Sequence, residues 1–188
     1  MADDVKHLLR DIEKEMNKAI EAMEADFQQI RTGRASPGLV EKLPVEYYGT
    51  EVPLQQLATI TAPEPQMLLI KPFDPSTIRA IEKAITESDL KLTPTSDGKV
   101  IRLNIPPLTE DRRREIAKLV HKRMEEARIS IRNHRRDGME MLKEMEASDL
   151  ISEDEHKRGK QELEDLVHRF IARVDDLGAR KEREIMEL

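Results

Sequence analysis

The chain has 188 residues, with 32 Lys and Arg against 38 Asp and Glu, so its formal net charge is −6. Charged residues make up 37% and apolar residues 38%, whereas a typical soluble domain has roughly 25% and 45–50%. This balance argues against a single thick core of the enzyme type, and the absence of cysteine excludes disulfides, thiolate metal sites and cysteine nucleophiles.

The first flank of the chain has the pattern of a long helix. All ten prolines lie between Pro37 and Pro107, so both flanks are free of the residue that interrupts helices. Apolar residues recur at alternating spacings of three and four, which predicts an amphipathic helix over about 3–31. Its apolar face comprises Val5, Leu9, Ile12, Met16, Ala19, Ile20, Met23, Phe27 and Ile30.

The proline-containing middle segment predicts a small α+β domain over 32–105. Four runs have strand composition or alternation, and Asp97-Gly98 before the last of them is a hairpin signal. A short helix is expected after Pro75, which would occupy its first turn. The four runs are Val45–Tyr48, Leu57–Thr61, Met67–Ile70 and Val100–Ile105.

The second flank predicts two further helices. Thr109 is a candidate N-cap for a helix that continues to about Ala147, and Ser152-Glu153-Asp154-Glu155 has the form of a capping box that opens another. The expected apolar faces are Ile116, Leu119, Val120, Ala127, Ile131, Leu142 and Met145, then Leu163, Leu166, Val167, Phe170, Ile171, Val174 and Leu177. Three such helices would bury their stripes against one another as an elongated antiparallel three-helix bundle.

The expected architecture is therefore mainly α, with a bundle formed by 1–31 and 106–188 and the small domain inserted between helices one and two. Two connections join them. Glycine gives the outgoing connection unusual backbone freedom, and the Pro-Pro step makes the return connection extended. These two connections predict a hinge, formed by Thr32, Gly33, Ile105, Pro106 and Pro107.

The chain offers little covalent chemistry. It has no phosphate-binding loop, dinucleotide fingerprint, nucleophile elbow or zinc-protease motif, so we expect neither an enzyme nor a cofactor. Two acid-x-x-His segments, Glu153–His156 and Asp165–His168, have the ligand spacing of di-metal bundles, but both fall on one helix instead of facing each other. We therefore predict no metal site, and a structural rather than catalytic role for His134.

The informative feature is the charge on the second long helix. Leu108–Arg136 contains ten basic and five acidic residues, so this stretch carries +5 and the remainder −11. At 100° per residue, Arg128, Arg132, Arg135 and Arg136 fall within about 100° of one another, away from the apolar face. Arg114, Lys118 and His121 continue this stripe, and Lys122 adds a further basic residue nearby.

The stripe favours binding to a phosphate backbone. No acid lies between Arg128 and Arg136 to form helical ion pairs with these arginines, and arginine suits planar, bidentate contact with phosphate. No aromatic residues interleave with the stripe, so a folded RNA surface fits better than stacking on single-stranded bases. The alternatives are a helical adaptor that binds partner proteins and a di-metal enzyme on the bundle.

Four separated segments resemble the bacterial ribosome recycling factor family, in order and over the whole length of the chain. They are Ile30–Pro37, Val45–Thr50, Pro106–Arg113 and Ala127–Asp137. One departure is His134, where the family usually carries an apolar residue.

The resemblance implies an L-shaped molecule that binds the large ribosomal subunit after termination, with its bundle against ribosomal RNA. It further implies that elongation factor G, using GTP, presses on the small domain and drives the ribosomal subunits apart. Family arginines near RNA correspond to Arg128, Arg132, Arg135, Arg136, Arg31 and Arg34. No apolar run reaches the roughly 18–20 residues of a membrane span, and no leader pattern is visible, so we expect a cytoplasmic protein. We also expect the chain to be a monomer.

Overall fold

A computed structural model describes residues 3–30 and 32–186. The chain divides into two compact units. The bundle unit combines the chain up to Phe27 with Ala117–Arg183, and the small unit comprises Gln28–Ile116 together with residues from Glu184 onward.

The secondary structure alternates long helices with a β-rich middle segment. The helices and strands are α1 (Asp3–Gln29), β1 (Pro44–Tyr47), β2 (Thr50–Pro53), β3 (Ala58–Glu64), β4 (Met67–Pro72), α2 (Ile78–Glu87), β5 (Pro94–Ser96), β6 (Ile101–Asn104), α3 (Glu110–Ala147) and α4 (Glu153–Met186). Short 3₁₀ turns occupy Pro37–Leu39, Leu54–Gln56 and Pro75–Thr77. The mainly α class with a small β-containing domain is therefore confirmed.

The bundle unit is built from α1, α3 and α4, and its side-chain contacts define the helix directions. Successive contacts between α3 and α4 pair Arg128 with Asp175, Arg135 with Glu164 and Glu146 with His156. Because the α4 partner moves back toward its N-terminus as α3 advances, these helices are antiparallel. The core they share with α1 includes Met16, Ile20, Val120, Ile131, Leu142, Leu163 and Val174.

Glycine allows the helices to approach closely at the centre of the bundle. A Cβ atom at Gly138 of α3 would lie 2.5 Å from Ile12 Cδ1 on α1 and 2.9 Å from Leu163 Cδ2 on α4. At Gly159 of α4, the same atom would lie 2.9 Å from a methyl group of Leu142. The missing side chains are therefore part of the packing, which compensates for the lower helix propensity of glycine.

Both predicted helix starts are capped as expected. Thr109 Oγ1 accepts a hydrogen bond from the Arg112 amide at 3.1 Å, so Thr109 caps α3. At the start of α4, the Glu155 amide donates to Ser152 Oγ at 3.1 Å, and the Ser152 amide donates to Glu155 Oε1 at 3.3 Å. This reciprocal pair is a complete capping box.

The small unit contains a hairpin and a four-stranded sheet, both antiparallel. β1 pairs with β2, and the larger sheet has the order β3-β4-β6-β5. The predicted turn at Asp97-Gly98 connects β5 to β6, with Asp97 Oδ1 accepting from the Lys99 and Val100 amides. These hydrogen bonds lower the pKa of Asp97, with the Val100 amide making the largest contribution. The core lies between the sheets and α2 and includes Val45, Leu54, Leu68, Ile70, Ile81, Ile85, Ile101 and Leu103.

One position of the predicted bundle face is wrong. Leu119 is among the exposed large apolar residues, whereas Met124, which was not assigned to the face, is buried. The reason is the phase of the helix: Val120, Met124, Ala127 and Ile131 lie within about 60° of one another, and Leu119 lies outside this arc. Within residues 3–30 and 32–186, no helix is both long and apolar enough to cross a membrane.

Candidate nucleic-acid interface

The basic residues of α3 share one side of a continuous helix. Between Lys118 and Arg136, the helix rises about 27 Å, and six cations fall within about 140° of arc. The six residues are Lys118, Lys122, Arg128, Arg132, Arg135 and Arg136; we call this surface the basic face. Its residues belong to the bundle unit, where packing against α1 and α4 fixes the helix.

Two arginines of the basic face are held by carboxylates from α4. Arg128 Nη2 donates to Asp175 Oδ1 at 2.6 Å, and its side chain is only 21% exposed. Arg135 Nε donates to Glu164 Oε1 at 2.8 Å, with Nη2 in contact with the same oxygen. The hydrogen bond to Asp175 is the largest effect on Arg128 and raises the pKa of this guanidinium.

A third carboxylate lies on the basic face itself. Glu125 Oε2 is 3.3 Å from Arg128 Nη1, and Glu125 Oε1 is 3.4 Å from Arg132 Nη1. The expectation that these arginines lack acidic partners is therefore wrong. It considered only the residues between Arg128 and Arg136, whereas the acidic partners lie one helical turn earlier and on α4. The acids fix the guanidinium orientations and offset part of the positive charge.

Three cations of the basic face remain available. The side chains of Arg136, Lys118 and Lys122 are exposed and make no ion pair or hydrogen bond with the other described residues. Ile129, which is 48% exposed, adds an apolar side chain to the same surface. The geometry thus provides charges for phosphate oxygens together with orientated guanidinium groups on a helical support.

The connection after α1 contains the other predicted site residues. Arg34 is exposed, while Arg31 lies outside the described residues. Thr32 and Gly33 are buried, and Gly33 has a φ of +81°, a backbone conformation that favours glycine.

Both connections are hydrogen-bonded to the turn between β3 and β4. The Ile105 amide donates to the Gln66 carbonyl at 2.7 Å, and the Ala35 amide of the outgoing connection donates to the Pro65 carbonyl at 2.7 Å. Pro106 and Pro107 follow as an exposed segment. Both predicted hinge connections are therefore fixed at one end by the turn between β3 and β4.

Two histidines of the bundle unit contact carboxylates. His156 contacts Glu146 across the turn between α3 and α4, and His121 contacts Glu182. His134 is half-buried and makes a small contribution to the lowered pKa of Glu15, which Lys18 dominates through a hydrogen bond. Among residues 3–30 and 32–186, no group of three or more potential ligands could hold a metal ion.

Comparison with known proteins identifies the family. The family model described as ribosome recycling factor matches residues 23–186. The ribosome-recycling factor of Roseiflexus sp. (strain RS-1) is 54% identical over 98% of this chain and 100% of that protein. The corresponding factor of Carboxydothermus hydrogenoformans is 51% identical over the same shares. The chain belongs to the ribosome recycling factor family.

Solved structures agree with this assignment. A solution structure of the ribosome recycling factor matches with a TM-score of 0.80 and 45% identity, covering 100% of both chains. A second structure describes the T. thermophilus ribosome recycling factor and the E. coli elongation factor G bound to the E. coli post-termination complex. It matches with a TM-score of 0.70 and 43% identity, over 97% of this chain and 98% of that one. As a member of the ribosome recycling factor family, the chain is a translation factor and not an enzyme.

Sequence reasoning found the cations of the basic face but missed the acids that hold them. Glu125 was detectable, because it lies three and seven residues before Arg128 and Arg132, on the same side of a helix. Asp175 and Glu164 had no local signal, because their positions depend on the register between α3 and α4.

Proposed function

We propose that this chain binds the large subunit of the post-termination ribosome through the basic face of α3. Together with elongation factor G and GTP, it promotes dissociation of the ribosome into subunits and release from mRNA. The observation that carries this proposal is the group formed by Arg136, Lys118 and Lys122 on α3, which is exposed and has no ion-pair partner among residues 3–30 and 32–186. The chain acts as a monomer in the cytoplasm.

The chemistry of the basic face favours the RNA backbone over the bases. Arginine and lysine donate to phosphate oxygens, and such contacts fix orientation without reading sequence. The basic face carries no aromatic side chain to stack on an unpaired base. Ribosomal RNA presents phosphates in a fixed arrangement, so a rigid row of cations suits it better than a flexible basic tail would.

The mechanical part of the proposal needs no covalent step by this chain. The sequence has no phosphate-binding loop, so GTP hydrolysis belongs to elongation factor G. A bundle over 1–31 and 106–188, anchored on ribosomal RNA, would act as the support, and the small domain over 32–105 would receive the push. Arg31 and Arg34 would add RNA contacts next to the first connection.

The hinge at Thr32, Gly33, Ile105, Pro106 and Pro107 would allow the small domain to be pushed. Gly33 is the sharpest test, because its φ of +81° is inaccessible to proline, which fixes φ near −65°. We expect Gly33→Pro to change the domain orientation measured by residual dipolar couplings and to slow recycling. Unchanged couplings and unchanged recycling would contradict the hinge.

The function is tested by following the splitting of purified post-termination ribosomes by light scattering. We expect splitting only when the chain, elongation factor G and GTP are all present. Arg132→Glu should weaken cosedimentation with large subunits while leaving the helical circular-dichroism signal intact, because its side chain is 57% exposed. Unchanged cosedimentation would contradict the role of the basic face, and binding insensitive to salt would favour a protein adaptor.

A further inference from the structure

The β1–β2 hairpin and α2 of the small unit form a groove that the proposed function does not use. The groove has a volume of about 440 Å³, and Ala80 and Ala84 of α2 are among the residues that line it. Tyr48 lines it from the hairpin turn, with its side chain 83% exposed. A large aromatic residue left almost fully in water next to a groove marks a surface suited to a partner.

The charges that line the groove are unbalanced. Glu46, Glu51 and Glu87 contribute three carboxylates against the single ammonium of Lys83. Glu46 and Glu51 are direct cross-strand partners in the hairpin, an arrangement that destabilises a β pair through like-charge repulsion. None of these four side chains forms an ion pair with another described residue, so the carboxylates are available to an external cation.

The backbone holds Tyr48 outward at a cost. Tyr48 and Gly49 both have positive φ, +48° and +84°, which is the geometry of a two-residue type I′ turn. Asparagine or aspartate before glycine suits the first position, and a tyrosine there is strained. The ring of Tyr47 contacts Tyr48 edge-on, with a centroid separation of 4.5 Å, and limits the directions in which the exposed ring can turn.

We propose that this groove binds an arginine- or lysine-bearing segment of a partner protein. A guanidinium on the exposed Tyr48 ring would make a cation–π contact and reach the carboxylates of Glu46 and Glu51. RNA is disfavoured, because its phosphates would meet these carboxylates. The proposal is independent of RNA binding by the basic face, which lies in the other unit.

The primary test is an amide NMR titration of the full chain with a short peptide of alternating arginine and alanine. We expect the amide resonances of Tyr48, Glu51 and Ala84 to move and saturate, and the same peptide with glutamine replacing arginine to leave them unchanged. Shifts spread evenly over the acidic surface would overturn the proposal. So would a uridine oligonucleotide that moved the groove resonances in place of the peptide.

Matched variants separate recognition from folding. Asparagine suits the turn, so Tyr48→Asn should keep or raise the melting temperature of the protein. The same change should lower the affinity for the arginine peptide about twofold to fivefold. The double variant Glu46→Gln, Glu51→Gln removes the like-charge pair, so it should also preserve stability. It should lower the affinity for the arginine peptide about fivefold. Asp89→Asn, an exposed change outside the groove, should alter neither. Unchanged affinity in both groove variants would refute the proposal.

A photocrosslinker at position 48 then tests the surface in purified post-termination ribosomes with elongation factor G. Crosslinks to an arginine- or lysine-rich protein segment support the proposal, whereas crosslinks to RNA alone contradict it. The peptide titration contains no ribosome, so the groove can be confirmed or refuted whatever the result of the splitting assay.

Discussion

Arg136 and Arg128 lie on the same face of α3, but the structure predicts opposite consequences for their loss. Arg136 is exposed and has no side-chain partner among the described residues. Arg128 is 21% exposed and already contacts Asp175 and Glu125. Arg136→Gln should therefore weaken RNA binding without affecting stability, whereas Arg128→Gln should affect stability more than binding.

The magnitudes follow from counterion release. Each phosphate contact contributes roughly 0.7–0.9 to the slope of log affinity against log salt, so Arg136→Gln should lower the slope by that amount. At about 0.1 M salt this corresponds to a loss of roughly fivefold to eightfold, or about 1 kcal/mol. Arg128 must release a carboxylate before it can bind phosphate, so its loss should reduce the slope by less than half as much. Breaking its ion pairs should lower the free energy of unfolding by about 0.2–1 kcal/mol.

The assay is the affinity of a fluorescently labelled chain for purified large ribosomal subunits across a potassium chloride series, with urea unfolding measured in parallel. Arg10→Gln is the matched control, because Arg10 is an exposed arginine on α1, in a groove lined by α1 and α4. A full slope change for Arg128→Gln, with none for Arg136→Gln, would refute the idea that carboxylate pairing decides which arginines contact RNA.

Two further predictions concern stability. Gly138→Ala should lower the free energy of unfolding by about 1–2 kcal/mol in urea because its Cβ would press on two buried side chains. Gly38→Ala should change it by no more than about 0.5 kcal/mol, because the nearest atom to its Cβ would be Ser36 Oγ at 3.6 Å, an ordinary contact. Equal losses would contradict this distinction. The Ser76 amide lowers the pKa of Asp74 by its hydrogen bond, so Asp74→Ala should lower the melting temperature at neutral pH, and the difference from wild type should disappear as the pH falls below about 4. A difference that persisted in acid would contradict a role for the ionised carboxylate.

The sequence predicted best those features that local chemistry decides. Thr109 and Ser152 were identifiable as helix caps because a cap needs only a hydroxyl and an amide two or three residues later. The turn at Asp97-Gly98 was identifiable for the same reason. The two strands that were missed, β2 and β5, have four and three residues and contain Pro53 and Pro94 at their ends. Runs this short show no alternation of apolar and polar residues. They are recognisable as strands only through their pairing, of β2 with β1 and of β5 with β6.

Features that depend on helix register could not be predicted. Charged residues outnumber apolar ones on α3, so the apolar face is hard to locate from spacing alone. As a result Leu119, which is exposed, was assigned to the face, and Met124, which is buried, was not. The acidic partners of the basic face required knowing which residues of α4 lie beside Arg128 and Arg135. The spacing within one helix does not contain that information, because sliding α4 by one turn would leave its own periodicity intact.

The proposed RNA binding belongs to a chain of net charge −6, and the acids around the basic face would affect its selectivity. Affinity for arbitrary nucleic acid rises steeply with the number of phosphates that a surface can neutralise. Three carboxylates form ion pairs with arginines of the basic face, those of Asp175, Glu164 and Glu125. An RNA whose phosphates do not match the basic face would therefore meet fewer unpaired cations than the sequence suggests. An RNA that presents phosphates along the line of Arg136, Lys118 and Lys122 still meets all three. In the proposed role, carboxylate pairing would therefore reduce nonspecific binding more than binding to a surface of matching shape.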